Sequence, residues 1–293
     1  MIKGFIKKFS ASFTAAAMFT TMITASVIAA DSDGVDWGKG TIRATGLAAG
    51  KSTEPREGVR RAQARRAAIM DAQRNLAESV EGVQVTAESS MKDLMLEYDI
   101  VNTRVNAIIK GMREAAPAKY NGDDTCEVVL EMPLYGSNKA LAAAAFLPFK
   151  DQVKEPFPEP SVSVSVRVNG AYDDGLSVYR NNSSYTGLVI DCSGMDLNPV
   201  MSPVIRNDGG QAIYGHRNLD IDKVIEFGMA SYAENPNDEI SHARAGNNPL
   251  VVKAVKLEGF NANPVVSVND SDKILIANQN DQFLDDLKVV FVK

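Results

Sequence analysis

Few residues in this chain are of a type and spacing that could do chemistry, and they are scattered. His216 and His242 are its two histidines. Neither belongs to an HExxH pattern or another metal-ligand spacing, so each reads as a solvated loop histidine. Cys126 and Cys192 lie outside any CxxC motif, which removes the usual redox device. No G-x-S-x-G elbow supplies a hydrolase serine. No P-loop or GxGxxG turn is present to cradle a phosphate. Carboxylates are plentiful: Asp191 and Asp196 bracket Cys192, Ser193 and Gly194, and Asp220 and Asp222 follow a turn-rich stretch. A two-carboxylate glycosidase can draw its acids from anywhere in a sequence, but solvated acids at strand ends are the plainer reading. DSDGVD at 31–36 and NDSDK at 269–273 look like calcium loops only in outline, since both lack the full ligand series and the closing glutamate. The sequence therefore assigns no catalytic, cofactor-binding or metal-binding residue.

The most concentrated positive charge lies in residues 56–85, REGVRRAQARRAAIMDAQRNLAESVEGVQV. This stretch predicts one long amphipathic helix. Val59, Ala62, Ile69, Met70, Ala72, Leu76, Ala77 and Val80 share about 160° of arc at 100° per residue, a face suited to packing on a sheet. Gly82 is placed to end it. Arg56, Arg60, Arg61 and Arg65 form a candidate partner-contact face for an acidic protein or anionic envelope polymer; the plainer reading is a solvated helix face. Arg66 and Gln73 project from within the apolar arc. Either Arg66 lays its stem along the core and carries its charge to the edge, or the two form a buried polar pair that fixes the helix register.

The elements around this helix define a mixed α+β layout. Residues 41–49 (TIRATGLAA) read as a strand, as do 83–87, 105–112 and 125–134, the last with Cys126, Val128, Leu130 and Met132 alternating against Glu127, Val129 and Glu131. Asn121-Gly122 is a hairpin-type turn. One long helix on a small antiparallel or mixed sheet follows from that order. Taken together, GKGTIRATG, ARRAAIMDAQRNLAESVEGVQV, IIKG and NGDDTCEVVLEMPLYG resemble the twenty-kilodalton outer-membrane lipoprotein family and the N-terminal domain of flagellar assembly protein T, over about residues 40–136. Asp71, Ala72, Arg74, Asn75, Leu76 and Ala77 match the family's A-x-x-D-A-x-R-N-L-A helix. The resemblance implies an exported, envelope-associated, non-enzymatic protein, in some members at the periphery of the flagellar basal body.

Residues 1–30 have their own pattern. Lys3, Lys7 and Lys8 precede a charge-free run that ends in small residues, the layout of a cleaved secretory signal peptide; the rival reading is an uncleaved anchor. No cysteine stands near the cleavage site, so no lipid anchor is expected. Without those lysines the formal net charge goes from -6 to -9, which argues against nucleic acid as a partner. Export makes pairing of the two cysteines the first question. Cys126 and Cys192 are a candidate disulfide between two domains; the alternative is two buried thiols.

The domain plan is a signal peptide at 1–30, a first α+β domain at 31–147, a Pro-rich linker at 148–160 with Pro148, Pro156, Pro158 and Pro160, and a second, strand-rich α+β domain at 161–293. In the first domain, 89–106 carries helical spacing and 137–146 reads as a short Ala-rich helix. In the second, 161–168 (SVSVSVRV) alternates as a half-buried strand. Residues 186–191 read as a buried strand. Asn207-Asp208-Gly209-Gly210 marks a hairpin between 200–206 and 211–214. Asp220 is a helix N-cap ahead of Ile221, Val224, Ile225, Gly228 and Tyr232. Strands are expected at 250–257, 264–268, 273–277 and 287–292. The expected function is a non-catalytic periplasmic protein acting on other envelope proteins or peptidoglycan-associated components, with no cofactor. A periplasmic glycan or peptide hydrolase and a ligand-binding module are the alternatives.

Overall fold

Strand β2 (Thr41–Ala49) and helix α1 (Glu57–Glu81) form the first layer pair of a computed structural model, which describes residues 33–122, 124–161 and 184–293. The leader and most of SVSVSVRV lie outside the described residues. Strand β1 (Gly34–Asp36), β2, β3 (Lys119–Tyr120) and β4 (Thr125–Pro133) make an antiparallel sheet in the order β1-β2-β4-β3. Alternation along β2 and β4 turns Ile42, Ala44, Cys126, Val128, Leu130 and Met132 to one buried face. Helix α1 lies on that face.

The contact is unusually close. A Cβ built on Gly46 would stand 2.1 Å from the Ala68 carbonyl oxygen and 2.2 Å from the Ala72 amide nitrogen. Helix backbone therefore rests on strand backbone, which only glycine on the strand and small residues on the helix permit. The buried stripe of α1 is Ala64, Ala68, Ala72, Leu76 and Val80, at strict four-residue spacing. This rotates the expected arc. Met70 is 67% exposed and Ala62 is exposed, because the interface selects small side chains over the bulkiest ones. Gly82 ends the helix as expected, its amide donating to the Glu78 and Val80 carbonyls.

Helices α2 (Met91–Glu97) and α3 (Asp99–Lys110) follow, α2 opening on a Ser90–Asp93 capping box. The expected strand at 105–112 is a helix. Val101, Val105, Ile108 and Ile109 are buried at helical spacing, and that period overrides the β-branched composition. Residues 83–87 form only an isolated Gln84–Ser90 bridge rather than a strand. Helix α4 (Ala142–Ala145), wholly buried, confirms the Ala-rich segment.

The C-terminal region carries two further four-stranded sheets. Strands β5 (Leu188–Asp191), β8 (Ser231–Ala233), β9 (Leu250–Lys253) and β12 (Val289–Val292) form an all-parallel sheet in the order β8-β12-β5-β9. Strands β6 (Ile205–Asn207), β7 (Ala212–Tyr214), β10 (Lys256–Glu258) and β11 (Asn263–Val266) form a mixed sheet in the order β10-β11-β6-β7. The β6–β7 hairpin turns through Gly210 at φ +88°, as the NDGG signal requires. Asp220 caps α5 (Ile221–Phe227), accepting from the Asp222 and Lys223 amides. Tyr232 is not on that helix: Gly228 at φ +74° ends it, and Tyr232 belongs to β8. Helix α6 (Glu239–Ala245) covers one face of the parallel sheet with Ile240 and Ala245. Residues 273–277, expected as a strand, lie inside helix α7 (Val268–Asp281), whose start is fixed by Ser267 accepting from the Asp270 amide.

Ser32–Lys293 is one compact unit, and a single hydrophobic cluster runs from Ile42 to Phe291. The first sheet and the C-terminal region meet along a hydrogen-bonded seam. The Met201 and Ser202 amides donate to the Gln84 and Val85 carbonyls, and the Gly136 amide donates to the Ile225 carbonyl. The Pro-rich stretch lies along the C-terminal region. The Glu155 amide donates to the Arg217 carbonyl, Asn218 donates to the Pro156 carbonyl, and Lys154 pairs with Asp285 at 2.7 Å.

Candidate functional site

The arginine face of α1 is neutralised by its own chain. Arg56 pairs with Glu54 at 2.8 Å, Arg60 with Asp124 at 3.1 Å, Arg61 with Glu57 at 2.8 Å and Arg65 with Glu114 at 2.8 Å. Arg61 also stands 5.5 Å over the Tyr120 ring. Such exposed pairs add little stability, but they cancel the field an anionic partner would feel. Arg66 is exposed, and Gln73 is half-buried. The buried polar pair is therefore absent. The arc that was to contain it is rotated away by the alanine stripe.

The helix motif has a different use. Among the described residues β2 pairs with β1 only at Thr41, Ile42 and Arg43, and no described strand covers its outer edge beyond them. Asp71 accepts from the Leu47 amide at 3.1 Å, while Arg74 holds the other Asp71 oxygen at 2.6 Å. Asn75 donates to the Thr45 carbonyl at 2.8 Å, and Asp33 accepts from the Thr45 amide at 3.0 Å. The Asp-Ala-x-Arg-Asn motif thus closes a strand edge with side chains. The signal was visible as polar residues one turn apart on an otherwise Ala-rich helix. Their donor and acceptor partners lie 24 and 30 residues earlier, a distance local patterning does not reach.

The two cysteines are buried and free rather than bridged. Cys126 lies on the buried face of β4, and Cys192 directly follows β5 in the core. Burial pushes the Cys192 thiol up to about 12, with the neighbouring Asp191 charge adding to the shift. Burial raises Cys126 as well. Both are protonated at neutral pH, which suits packing and not nucleophilic chemistry.

The acids act mainly as caps. Asp191 accepts from the Ser193 amide at 2.9 Å, and the Ser193 hydrogen bonds hold its carboxyl below the usual range. Asp220 is the α5 cap, Asp222 pairs with Lys150 at 3.2 Å, and Asp196 is exposed. NDSDK is the first turn of α7, so it cannot wrap a cation. Among the described residues no group of three or more His, Cys, Asp or Glu side chains is placed to hold a metal.

His242 is exposed as expected, but it stands on helix α6 and not in a loop. His216 is half-buried rather than solvated in a loop. It lies 5.1 Å from the Phe149 ring, and its Nδ1 stands 3.3 Å from the Ser202 hydroxyl. Burial lowers its pKa, with Arg217 adding to the effect and Glu155 opposing it. A serine beside a neutral imidazole is the first requirement of a nucleophilic dyad. Ser202 is only 3% exposed, however, and its amide is committed to the seam, so no substrate carbonyl can reach it. The pair ties the seam together.

Arg244 is a second group that local reading misses. From α6 it donates Nε to the Leu287 carbonyl at 2.6 Å and Nη1 to the Phe227 carbonyl at 2.6 Å, with Nη2 on the Gly228 carbonyl. It satisfies the exposed carbonyl end of α5. Arg244 also lines a shallow cleft with Gly38, Ser231, Glu239, Ile240 and Ala243.

Contact surface is the other resource. Leu96 at the end of α2 is 78% exposed, and Ile100 at the start of α3 is 60% exposed. They flank the Tyr98 elbow as an apolar ridge. Among the described residues no helix is long and apolar enough to cross a membrane. No curated protein matches the chain. Residues 187–293, from just before β5 through β12, match the family described as Treponema pallidum Tp0624, second domain.

Proposed function

We propose that this chain is a non-catalytic, exported protein of the cell envelope that works through protein–protein contacts, in the periplasm or on the periplasmic face of the outer membrane of a diderm bacterium. Association with the flagellar basal body is the more specific form of the proposal. The leader layout supports export, and the resemblance over residues 40–136 supports the envelope setting. The observation that carries the contact reading is the Leu96–Ile100 ridge, two large apolar side chains that the chain itself leaves uncovered. The groups capable of chemistry point the same way: the thiols, the Ser202–His216 pair and Arg244 are spent on packing and caps.

The test is co-purification of the tagged full chain from envelopes of cells lacking the native copy. The wild type is expected to recover specific envelope or basal-body components, and Leu96→Asp with Ile100→Asp to lose them while keeping the melting temperature. Identical recovery by both proteins, or turnover of peptidoglycan fragments by the purified chain, overturns the proposal.

A further inference from the structure

Charge is treated in opposite ways along the helices of the first layer. The arginines at the start of α1 each have an acid of their own chain: Glu54, Asp124, Glu57 and Glu114. The elbow between α2 and α3 has no such compensation. Residues 78–99 hold Glu78, Glu81, Glu88, Asp93, Glu97 and Asp99 against a single base, Lys92, and among the described residues none of these acids is ion-paired. Three of them border the Leu96–Ile100 ridge. Asp93 stands one helical turn before Leu96, Glu97 directly follows it, and Asp99 directly precedes Ile100. All three are exposed. Asp93 accepts from the Ser90 amide and hydroxyl, which hold its carboxyl below the usual range and keep it charged. Leu94 and Val101 are buried on the opposite side, so the elbow is fixed from behind. The described chain breaks between Ser161 and Ser184, and both sides of that break are held by α7, through Asp272 and Asp281, rather than by the elbow. An apolar centre inside a charged rim is the anatomy of a protein interface, and rim charge that its own chain leaves uncompensated selects the sign of the partner.

We propose that the α2–α3 elbow docks a cationic segment of another protein, which sets apolar side chains over Leu96 and Ile100 and lysine or arginine beside Asp93, Glu97 and Asp99. The charge argues against a second copy. A copy would bring the same acids to the contact, and its arginine face on α1 is already neutralised. The inference rests on the protein-contact reading above and adds the chemistry of the partner.

The test places a photo-crosslinking residue at Thr103, exposed one turn along α3 from Ile100, in the full chain produced in its own cells. Adducts are mapped by mass spectrometry. Glu97→Lys with Asp99→Lys reverses the rim. Asp196→Lys with Glu226→Lys makes the same change of net charge at two exposed acids of the C-terminal region. The expected result is an adduct with a lysine- or arginine-bearing segment of another protein, its yield about tenfold lower in the rim variant and unchanged in the distant one. If the rim variant fails to fold, Glu97→Gln with Asp99→Asn decides the matter, because it removes the charge at nearly constant shape and should still lower the yield severalfold. A yield unchanged in the rim variants overturns the proposal, as does an equal fall in the distant variant or an adduct with a second copy. Loss of the adduct in Leu96→Asp with Ile100→Asp but not in the rim variants removes the cationic partner and leaves the contact reading standing. No adduct from the wild-type ridge overturns both.

Discussion

Replacing Gly46 with alanine should separate the two layers of the first sheet. The added methyl would meet the Ala68 carbonyl oxygen at 2.1 Å and the Ala72 amide nitrogen at 2.2 Å. Comfortable contact lies near 3.5 Å, so α1 must lift from β2 by on the order of 1 Å. Neither contacting atom is on a side chain that could rotate away. A gap of about 1 Å forfeits a quarter to a half of each dispersion contact along the interface, here the stripe Ala64, Ala68, Ala72, Leu76 and Val80. Overpacking in a core costs about 1–3 kcal/mol, and backbone contact on both sides places this change at about 3 kcal/mol. At about 2–4 °C per kcal/mol for a body of this size, the melting temperature should fall by about 6–12 °C. The assay is thermal unfolding by far-ultraviolet circular dichroism, with fluorescence of Trp37, the chain's single tryptophan, as a second probe. Gly58→Ala is the control of opposite sign. It lies in the first turn of α1 with nothing within 4 Å of a built Cβ, and should stabilise by up to about 1 kcal/mol. A Gly46→Ala melting point within about 1 °C of wild type refutes the backbone-on-backbone account.

Arg244→Met should cost about 3 kcal/mol, measured by urea unfolding, because three carbonyls lose a charged donor and the replacement offers none; a loss under about 0.5 kcal/mol would show those carbonyls to be satisfied by water. Ellman's reagent at pH 8 should label neither cysteine in the folded chain and both in denaturant, since Cys126 and Cys192 are free, buried and raised in pKa; rapid native labelling, or no thiol on denaturation, contradicts the packing. His216 should make stability fall in acid. Its folded pKa lies below its unfolded value near 6.5, so the unfolded chain takes the proton first. The contribution is complete above that value and is lost as pH falls from it toward the folded pKa. Chemical unfolding between pH 8 and 5 should show this slope in wild type and a shallower one in His216→Phe; equal slopes assign the acid sensitivity to other groups.

Local rules revealed the turns and caps of this chain more fully than its long-range contacts. The NDGG hairpin and the Asp220 cap need only their own residues, and both stand where the sequence puts them. The long helix was legible as a helix but not in its rotation. Periodicity ranks faces by hydrophobic bulk, whereas Gly46, more than twenty residues away in sequence from its contacts, demands the smallest side chains. The apolar runs at 105–112 and 273–277 look like strands because they are short and rich in isoleucine or valine. Their buried partners at Val101 and Ser271 extend the helical period on the N-terminal side. The site residues were least legible. Asp71 and Asn75 act on β2, His216 on Ser202 and Arg244 on two carbonyls of another helix end, and each of these pairings is a property of the assembled layers.

The strand order β8-β12-β5-β9 has a kinetic consequence. Among the described residues strand β8 pairs only with β12, and β12 reaches β5 across about a hundred residues of chain, from Leu188 to Val289. Helix α1 with β2 can form from neighbouring sequence, but the parallel sheet cannot close until β12 arrives. Long-range parallel pairing is slow because loop closure is opposed by entropy before any contact rewards it. For that interval β5 presents Leu-Val-Ile-Asp with at most one neighbour, and β12 presents Val-Val-Phe-Val with none. The chain therefore passes through a half-built state with an adhesive centre, and its yield on refolding should fall with protein concentration long before its native stability is challenged.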